Sequence, residues 1–290
     1  LTTTPPPAGL RSKLLTFGNR SDIEYSLHFG TPTRFTAEDF LHLKREHDTA
    51  TATVPTLSPP TTDNHNLHQH LHLSPALAAL LHDATQIARL LQAASTPSPG
   101  QHTGKLPSSA VHETFILLAY RLQAISPLVS ARVTNTNYNS LYPAVVDAES
   151  TVEQAVCLGL TAFVASFFWG GGCGNLPKRG SLRWIEDGVR GVLSSGEADM
   201  QRGYGEGGVG DGRREVMLWM LFVGVAAGVL AGGDMEQWVV SKTGEVMQSL
   251  GLRDWESVAT VLETFPWIEV LHGRKGLEHW ERSRKLFLSC

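Results

Sequence analysis

Histidine is the first residue type whose spacing suggests chemistry. His65, His68, His70 and His72 place four imidazoles within eight residues, and imidazole is a ligand suited to zinc, copper, iron and nickel. A metal site also needs its ligands held by a scaffold and oriented by a second layer of hydrogen bonds. The surrounding stretch, 49–73, is Thr, Pro, Asn and His in low-complexity order, the composition of a flexible linker. A linker is therefore expected here, and residue types alone do not decide whether the His65–72 cluster takes up metal. His112 and Glu113 are a second acid–base pair, in the first turn of an expected helix, where such a pair is ordinarily a surface feature. A third pattern is Gly205, Gly207 and Gly210, which match G-x-G-x-x-G inside a run with six glycines between 203 and 212. In a dinucleotide site that spacing lets backbone amides approach a pyrophosphate at a helix N-terminus, but it requires a buried strand just before it. Residues 194–202 are small and polar, so a flexible loop is expected instead.

Other catalytic signatures are missing from the chain. It contains no G-x-S-x-G, no H-E-x-x-H and no Walker loop. Ser, His and Asp are numerous, but nothing in the sequence assembles them into a triad. No catalytic, cofactor-binding or metal-binding residue is assigned, and a non-enzymatic protein is expected; an uncharacterised helical enzyme is the alternative.

Bulk composition limits the classes further. The chain has 290 residues, 42% hydrophobic and 18% charged, with net charge −4. That content suits a globular core and lacks the overall basic footprint of duplex binding. The C-terminal segment is locally basic, with Arg274, Lys275, Arg282, Arg284 and Lys285 against Glu278 and Glu281, and reads as a solvated helix face. Three cysteines, Cys157, Cys173 and Cys290, are odd in number and widely spaced, which disfavours a disulfide framework and fits a reducing compartment. The first residue is Leu1, as expected of a fragment or a processed product. The Thr- and Pro-rich opening is not a secretory signal.

The elements expected to carry these residues are helices. Ser21 and Glu24 have capping-box spacing and predict a short helix; Thr36 caps a second that runs to about His47. Ser74 and Pro75 start a helix striped by Leu77, Leu80, Leu81, Ala84, Ile87 and Leu91. Val111, Phe115, Leu118, Leu122 and Ile125 stripe the next, and Ser150 with Glu153 predicts a capping box ahead of a nearly all-apolar helix over 155–169. A weaker helix is predicted from Ser181 to Leu193. Val239, Thr243, Val246 and Leu250 stripe a helix that Gly251 ends, Asp254 caps another that Pro266 ends, and a final amphipathic helix is predicted over 277–288 with Trp280 on its apolar side. Period-2 runs, hairpin signals and repeats are lacking. The fold class expected is all-α, an irregular multi-helix bundle, with residues 1–73 largely disordered or loosely packed and 74–290 forming one helical domain.

The centre of that bundle is assigned to 216–232. Residues 216–233 carry no charge over 18 positions, the lower limit for a membrane span. Gly224, Gly228 and Gly232 repeat the G-x-x-x-G spacing that lets membrane helices approach closely. A single membrane-anchoring span is one reading. The favoured one is a buried helix, apolar all round, covered by the amphipathic helices on either side. Its glycine pairs are then expected to mark helix crossings, and Trp219, Trp238, Trp255, Trp267 and Trp280 to pack the core.

The C-terminal third carries a family resemblance. Arg214-Glu-Val-Met-Leu-Trp-Met-Leu-Phe-Val-Gly224, then Leu250-Gly-Leu-Arg-Asp-Trp255, then Val261-Leu-Glu-Thr-Phe-Pro-Trp-Ile268 with Leu271 and His272, resembles the C-terminal helical region of fungal zinc-cluster transcription factors. The likeness covers about 150–280 and is fainter over 75–125. It implies an all-α regulatory domain, nuclear, that works through a protein partner or self-association, with a small-molecule effector as a further candidate. The family's DNA-binding module needs six cysteines in two C-x-x-C-x6-C-like groups. These 290 residues do not contain it, so direct DNA binding by this chain is not expected, nor is a membrane partner. Effector, partner, oligomeric state and DNA target are outside what the residues specify.

Overall fold

The computed structural model describes residues 8–47, 71–95, 108–125, 148–170, 183–201, 209–230 and 232–288. These residues form ten helices and no strand. They are α1 (Ala8–Phe29), α2 (Ala37–His47), α3 (Pro75–Ser95), α4 (Ser108–Ile125), α5 (Ala148–Gly170), α6 (Arg183–Gln201), α7 (Val209–Ala226), α8 (Gly233–Ser249), α9 (Trp255–Leu262) and α10 (Glu269–Leu288). The all-α multi-helix bundle expected from the periodicity is the fold observed.

Helices α5 and α7 lie at its centre and pack on each other more extensively than any other pair. Around α5 lie α1, α3, α4 and α6; around α7 lie α8, α9 and α10. Gly159 of α5 gives the Trp219 indole of α7 its seat, since a methyl group there would overlap the ring. Helix α5 is long and apolar enough over Thr151–Trp169 to cross a membrane by length and composition, and 83% of that stretch is buried against other helices. It begins before the expected 155, and Ser150 lies inside it rather than at its cap. Glu153, read as half of a capping box, instead accepts the backbone N–H of Ser74 at the start of α3 (2.6 Å).

The uncharged run 216–233 is not one helix. Helix α7 ends at Ala226, and the chain turns back through a Schellman motif: Val229 N–H donates to the Gly224 carbonyl (2.9 Å) and Gly228 N–H to the Val225 carbonyl (2.9 Å). Gly228 supplies the left-handed residue the motif needs, with φ 77°. The bend folds Leu230 onto Gly224, so this glycine receives a side chain from its own turn rather than a crossing helix. Hydrophobic patterning reports burial and does not register a single positive-φ glycine inside an apolar run. The same turn shortens the apolar helix and removes the expected continuous element over 216–232.

In the N-terminal segment Ser21 lies within α1 rather than at its cap, and Asn19, Ile23, Ser26 and Leu27 of that helix are buried. Trp184 on α6 donates its indole N–H to the Leu27 carbonyl (3.0 Å), and Arg20 reaches the Phe168 carbonyl at the end of α5 (3.2 Å). Phe40 of α2 is buried in the same core. At the other end α10 starts at Glu269, ahead of the predicted 277, and Leu277 is exposed rather than packed beside Trp280. Asp254 caps α9 as predicted, its carboxylate accepting Ser257 N–H (2.8 Å).

These contacts rank substitutions. Leu221 is fully buried, so Leu221→Asp should abolish cooperative folding through an unpaired buried charge that costs several kcal/mol. Gly228→Ala should cost about 1–2 kcal/mol for its left-handed backbone. Gly191 on α6 has open space at its Cβ, so Gly191→Ala should stabilise by about 0.5–1 kcal/mol. Thermal unfolding followed by circular dichroism orders the three.

Candidate functional site

A concave site lies between the α1–α2 loop with the start of α2, and helices α3 and α4. Its loop is held by Asp22 of α1, whose carboxylate accepts the N–H of Arg34 (3.0 and 3.1 Å) and of Phe35 (3.2 Å). That holds the α1–α2 loop in place. Thr36 then caps α2 reciprocally: its hydroxyl accepts Asp39 N–H (3.1 Å), and the Asp39 carboxylate accepts Thr36 N–H (2.8 Å). Those bonds, led by the Thr36 N–H, hold the Asp39 carboxyl below the usual carboxylate range. Tyr120 of α4 donates its hydroxyl to Asn19 Oδ1 (2.9 Å) and lies 3.3 Å from Asp22 Oδ2. Burial, with the Asp22 charge added, raises the Tyr120 phenol well above its ordinary value, so it serves as a neutral donor.

The held loop faces the first turns of α3 and the last turns of α4 across a groove of about 380 Å³. That size falls within the ordinary range of small-ligand pockets. Ala37, Ala76, Ala79 and Ala124 leave the space, Leu80 backs it, and Phe35, 40% exposed, stands at its rim. Arg121 on its wall is paired with Asp83 (2.5 Å), whereas the Glu38 carboxylate is exposed. Gln123 also lines the groove and is only 9% exposed, and its Oε1 has no hydrogen-bond partner.

A second cluster lies in the core and has the residue types of nucleophilic catalysis. Ser166 Oγ of α5 is 2.8 Å from His272 Nε2 of α10. The direction of the bonds decides what the pair does. His272 Nδ1 accepts the backbone N–H of Ile268 (3.1 Å), so the ring proton sits on Nε2 and is donated to Ser166. The serine hydroxyl in turn donates to the Phe163 carbonyl (2.7 Å). A general base would have to accept the serine proton at Nε2; here that nitrogen gives one. Both side chains are buried, and the pair ties α10 to α5. His279 makes a similar link, Nε2 to Thr243 Oγ1 of α8 (2.9 Å), with Phe222 edge-on to its ring. Burial, with the nearby Lys275 charge, lowers the His272 pKa to about 3. Burial and Arg282, against a smaller opposing effect of Glu236, lower that of His279 to about 4.

The candidates singled out in the sequence lie elsewhere or outside the described residues. His65, His68 and His70 lie outside them, and His72 is exposed beside the start of α3. No group of three or more potential metal ligands occurs among the described residues. His112 sits edge-on to Phe167 (5.0 Å) on α4. Gly205 and Gly207 lie outside the described residues, and Gly210 lies in the first turn of α7. Cys157 is buried, and burial, helped by Glu153, raises its thiol pKa to about 12. The basic face is partly engaged: Lys275 donates to the Ala226 carbonyl at the end of α7 (2.8 Å), Arg282 pairs with Glu236, and Arg284 lies over the Trp280 ring. Leu271 and His272 were visible only as part of the family-like pattern. The groove had no sequence signal, because alanines at a helix start read as helix formers. Comparison with protein-family models, curated proteins and solved structures finds no match to this chain.

The two buried imidazoles set a pH dependence. Their folded pKa values lie below the ordinary value near 6.5, so the unfolded chain binds more protons between about 6.5 and 4. Stability should be at its plateau above that window and fall as pH drops through it, by up to about 1.4 kcal/mol per pH unit for each ring. Urea midpoints at pH 7 and pH 5 measure this, and His279→Gln should flatten the slope. Ser166→Ala, which leaves the His272 N–H unsatisfied, should cost about 1–3 kcal/mol at pH 7.

Proposed function

We propose that this chain is a helical regulatory and interaction domain of the fungal transcription-factor type, the zinc-cluster module not lying within these 290 residues. The observation that carries the reading is the clustering of the residues behind the resemblance. Trp219 donates its indole N–H to the Pro266 carbonyl (3.1 Å) and stacks on Phe265 at 5.3 Å. Trp267 lies 5.0 Å from the His272 ring, and Trp255 6.1 Å from Phe222. Residues quoted from three separated stretches thus form one packed unit, the arrangement expected of a domain core of that type.

In this reading the chain is not an enzyme. It is nuclear, and it acts by binding a protein partner or a second copy of itself, with a small-molecule effector as a further input. DNA contact belongs to another module, and no membrane is involved. The break of the apolar run at Gly228 favours this over a single span at 216–233, because the apolar residues of that run are shared between a helix and a folded-back turn.

Fusing the chain to a heterologous DNA-binding module tests the proposal. The fusion should shift expression of a reporter carrying that module's site at least severalfold relative to the module alone, and the tagged chain should accumulate in the nucleus. The Leu221→Asp fusion should lose the shift. A folded wild-type fusion that leaves the reporter at the level of the module alone and stays out of the nucleus overturns the reading.

A further inference from the structure

We infer that the outward face of α10 is a self-association surface, on which a second copy of this chain docks antiparallel about a two-fold axis. The observation is a helix seam facing solvent. Val270, Arg274, Leu277, Glu281 and Arg284 follow one another at steps of four, three, four and three residues, the 3.5-residue spacing of a helix–helix seam. All five are exposed. Val270, 65% exposed, is the most exposed large hydrophobic side chain among the described residues, and Leu277 is 37% exposed. The other side of the helix carries the buried His272, His279, Trp280 and Ser283 and packs on α7 and α8.

Charge decides the occupant. Along the seam the residues are apolar, basic, apolar, acidic and basic. Reversing that order about Leu277 sets Leu277 on its own counterpart, Arg274 against Glu281 on both sides of the axis, and Val270 on the aliphatic stem of Arg284. One face thus complements itself, as a two-fold interface requires. The parallel arrangement sets Arg274 on Arg274 and Glu281 on Glu281, and like charges in register are repelled. The antiparallel one also opposes the two helix dipoles.

The charged groups are available for these pairs. Arg274 comes no nearer than 4.0 Å to Glu278 of its own helix, and the two side chains are 87% and 62% exposed. Glu281 makes no ion pair among the described residues, whereas its neighbour Arg282 is turned toward Glu236 of α8. The Arg284 guanidinium rests over the Trp280 ring (5.2 Å), so its stem rather than its charge meets Val270. A single helix face buries less than the roughly 1,600 Å² of a standard interface, so the dimer is weak and reversible, with a dissociation constant on the order of tens of micromolar.

The use of this dimer in regulation rests on the proposed function above; its formation does not. A chain that dimerises through α10 but fails the reporter test keeps the interface and loses the regulatory role. A fusion that shifts the reporter while the chain stays monomeric keeps the role and removes the interface.

Sedimentation velocity of the full chain, at concentrations spanning the expected dissociation constant, tests the interface. The wild-type chain should pass from monomer to dimer. Arg274→Glu and Glu281→Arg should each weaken the dimer about tenfold, because each turns two attractive pairs into repulsive ones. The two reversals in one chain should recover wild-type association to within about threefold. Leu277→Asp, at the axis, should leave the chain monomeric at every concentration with its melting temperature held. Val270→Asp, in the first turn of α10 where an acid suits the helix dipole, serves the same end if Leu277→Asp is unstable. A wild-type chain that stays monomeric, a dimer indifferent to either charge reversal, a double reversal that fails to recover, a dimer that survives the seam variants, or assembly beyond the dimer would overturn the inference.

Discussion

The whole bundle depends on the seat of one indole. Trp219 projects from α7 onto the backbone of α5 at Gly159, and no residue with a side chain there leaves room for the ring. A buried indole still needs an acceptor for its N–H. The Pro266 carbonyl provides it from the short connection between α9 and α10, where Phe265 stacks on the same ring. One side chain therefore sets the spacing of the two central helices and locates the turn that sends α10 back across them.

From that turn the remaining registry follows through polar contacts. Helix α10 brings His272 to Ser166 on α5 and His279 to Thr243 on α8. These imidazoles are buried and neutral, so each is worth its place only when both of its nitrogens are served or sterically content, and a slip of one residue would strand them. Lys275 closes the end of α7 at the Ala226 carbonyl, a basic residue on a helix C-terminus where the partial charge favours it. A basic segment that reads as plain surface thus includes a helix cap, one cross-helix ion pair and one guanidinium lying over an indole.

The α1–α4 side of the molecule is organised differently. There the links are carboxylate-to-backbone bonds in a loop and a tyrosine hydroxyl bridging helices, with small residues where the α7–α10 side has aromatic ones. Helix α3 belongs to both sides. Its first turns line the groove, and its Gln92 accepts the N–H of Glu269 at the start of α10 (2.9 Å). A packed core and a concave edge thus share one helix.

Much of this was legible along the chain, and the limits have physical causes. Helical spacing of Leu77, Leu80, Leu81 and Ala84, and of Phe115, Leu118 and Leu122, located α3 and α4 closely, because the 3.6-residue period is a local property that burial then selects. Asp254 and Gly251 marked a helix start and stop for the same reason: caps are made by neighbours in sequence. What only the tertiary structure decided was everything set by distant contacts. Ser21 and Ser150 have cap-like spacing but lie within helices that begin at Ala8 and Ala148. The break at Gly228 depends on the chain folding Leu230 back onto α7. The direction of the Ser166–His272 bond depends on a backbone N–H from another turn. The groove depends on a loop pinned by Asp22 across from α3 and α4. Residue types and periodicity determined that the chain would be helical and where its core would lie; which polar groups meet, and therefore what the molecule can bind, required the packing of segments far apart in sequence.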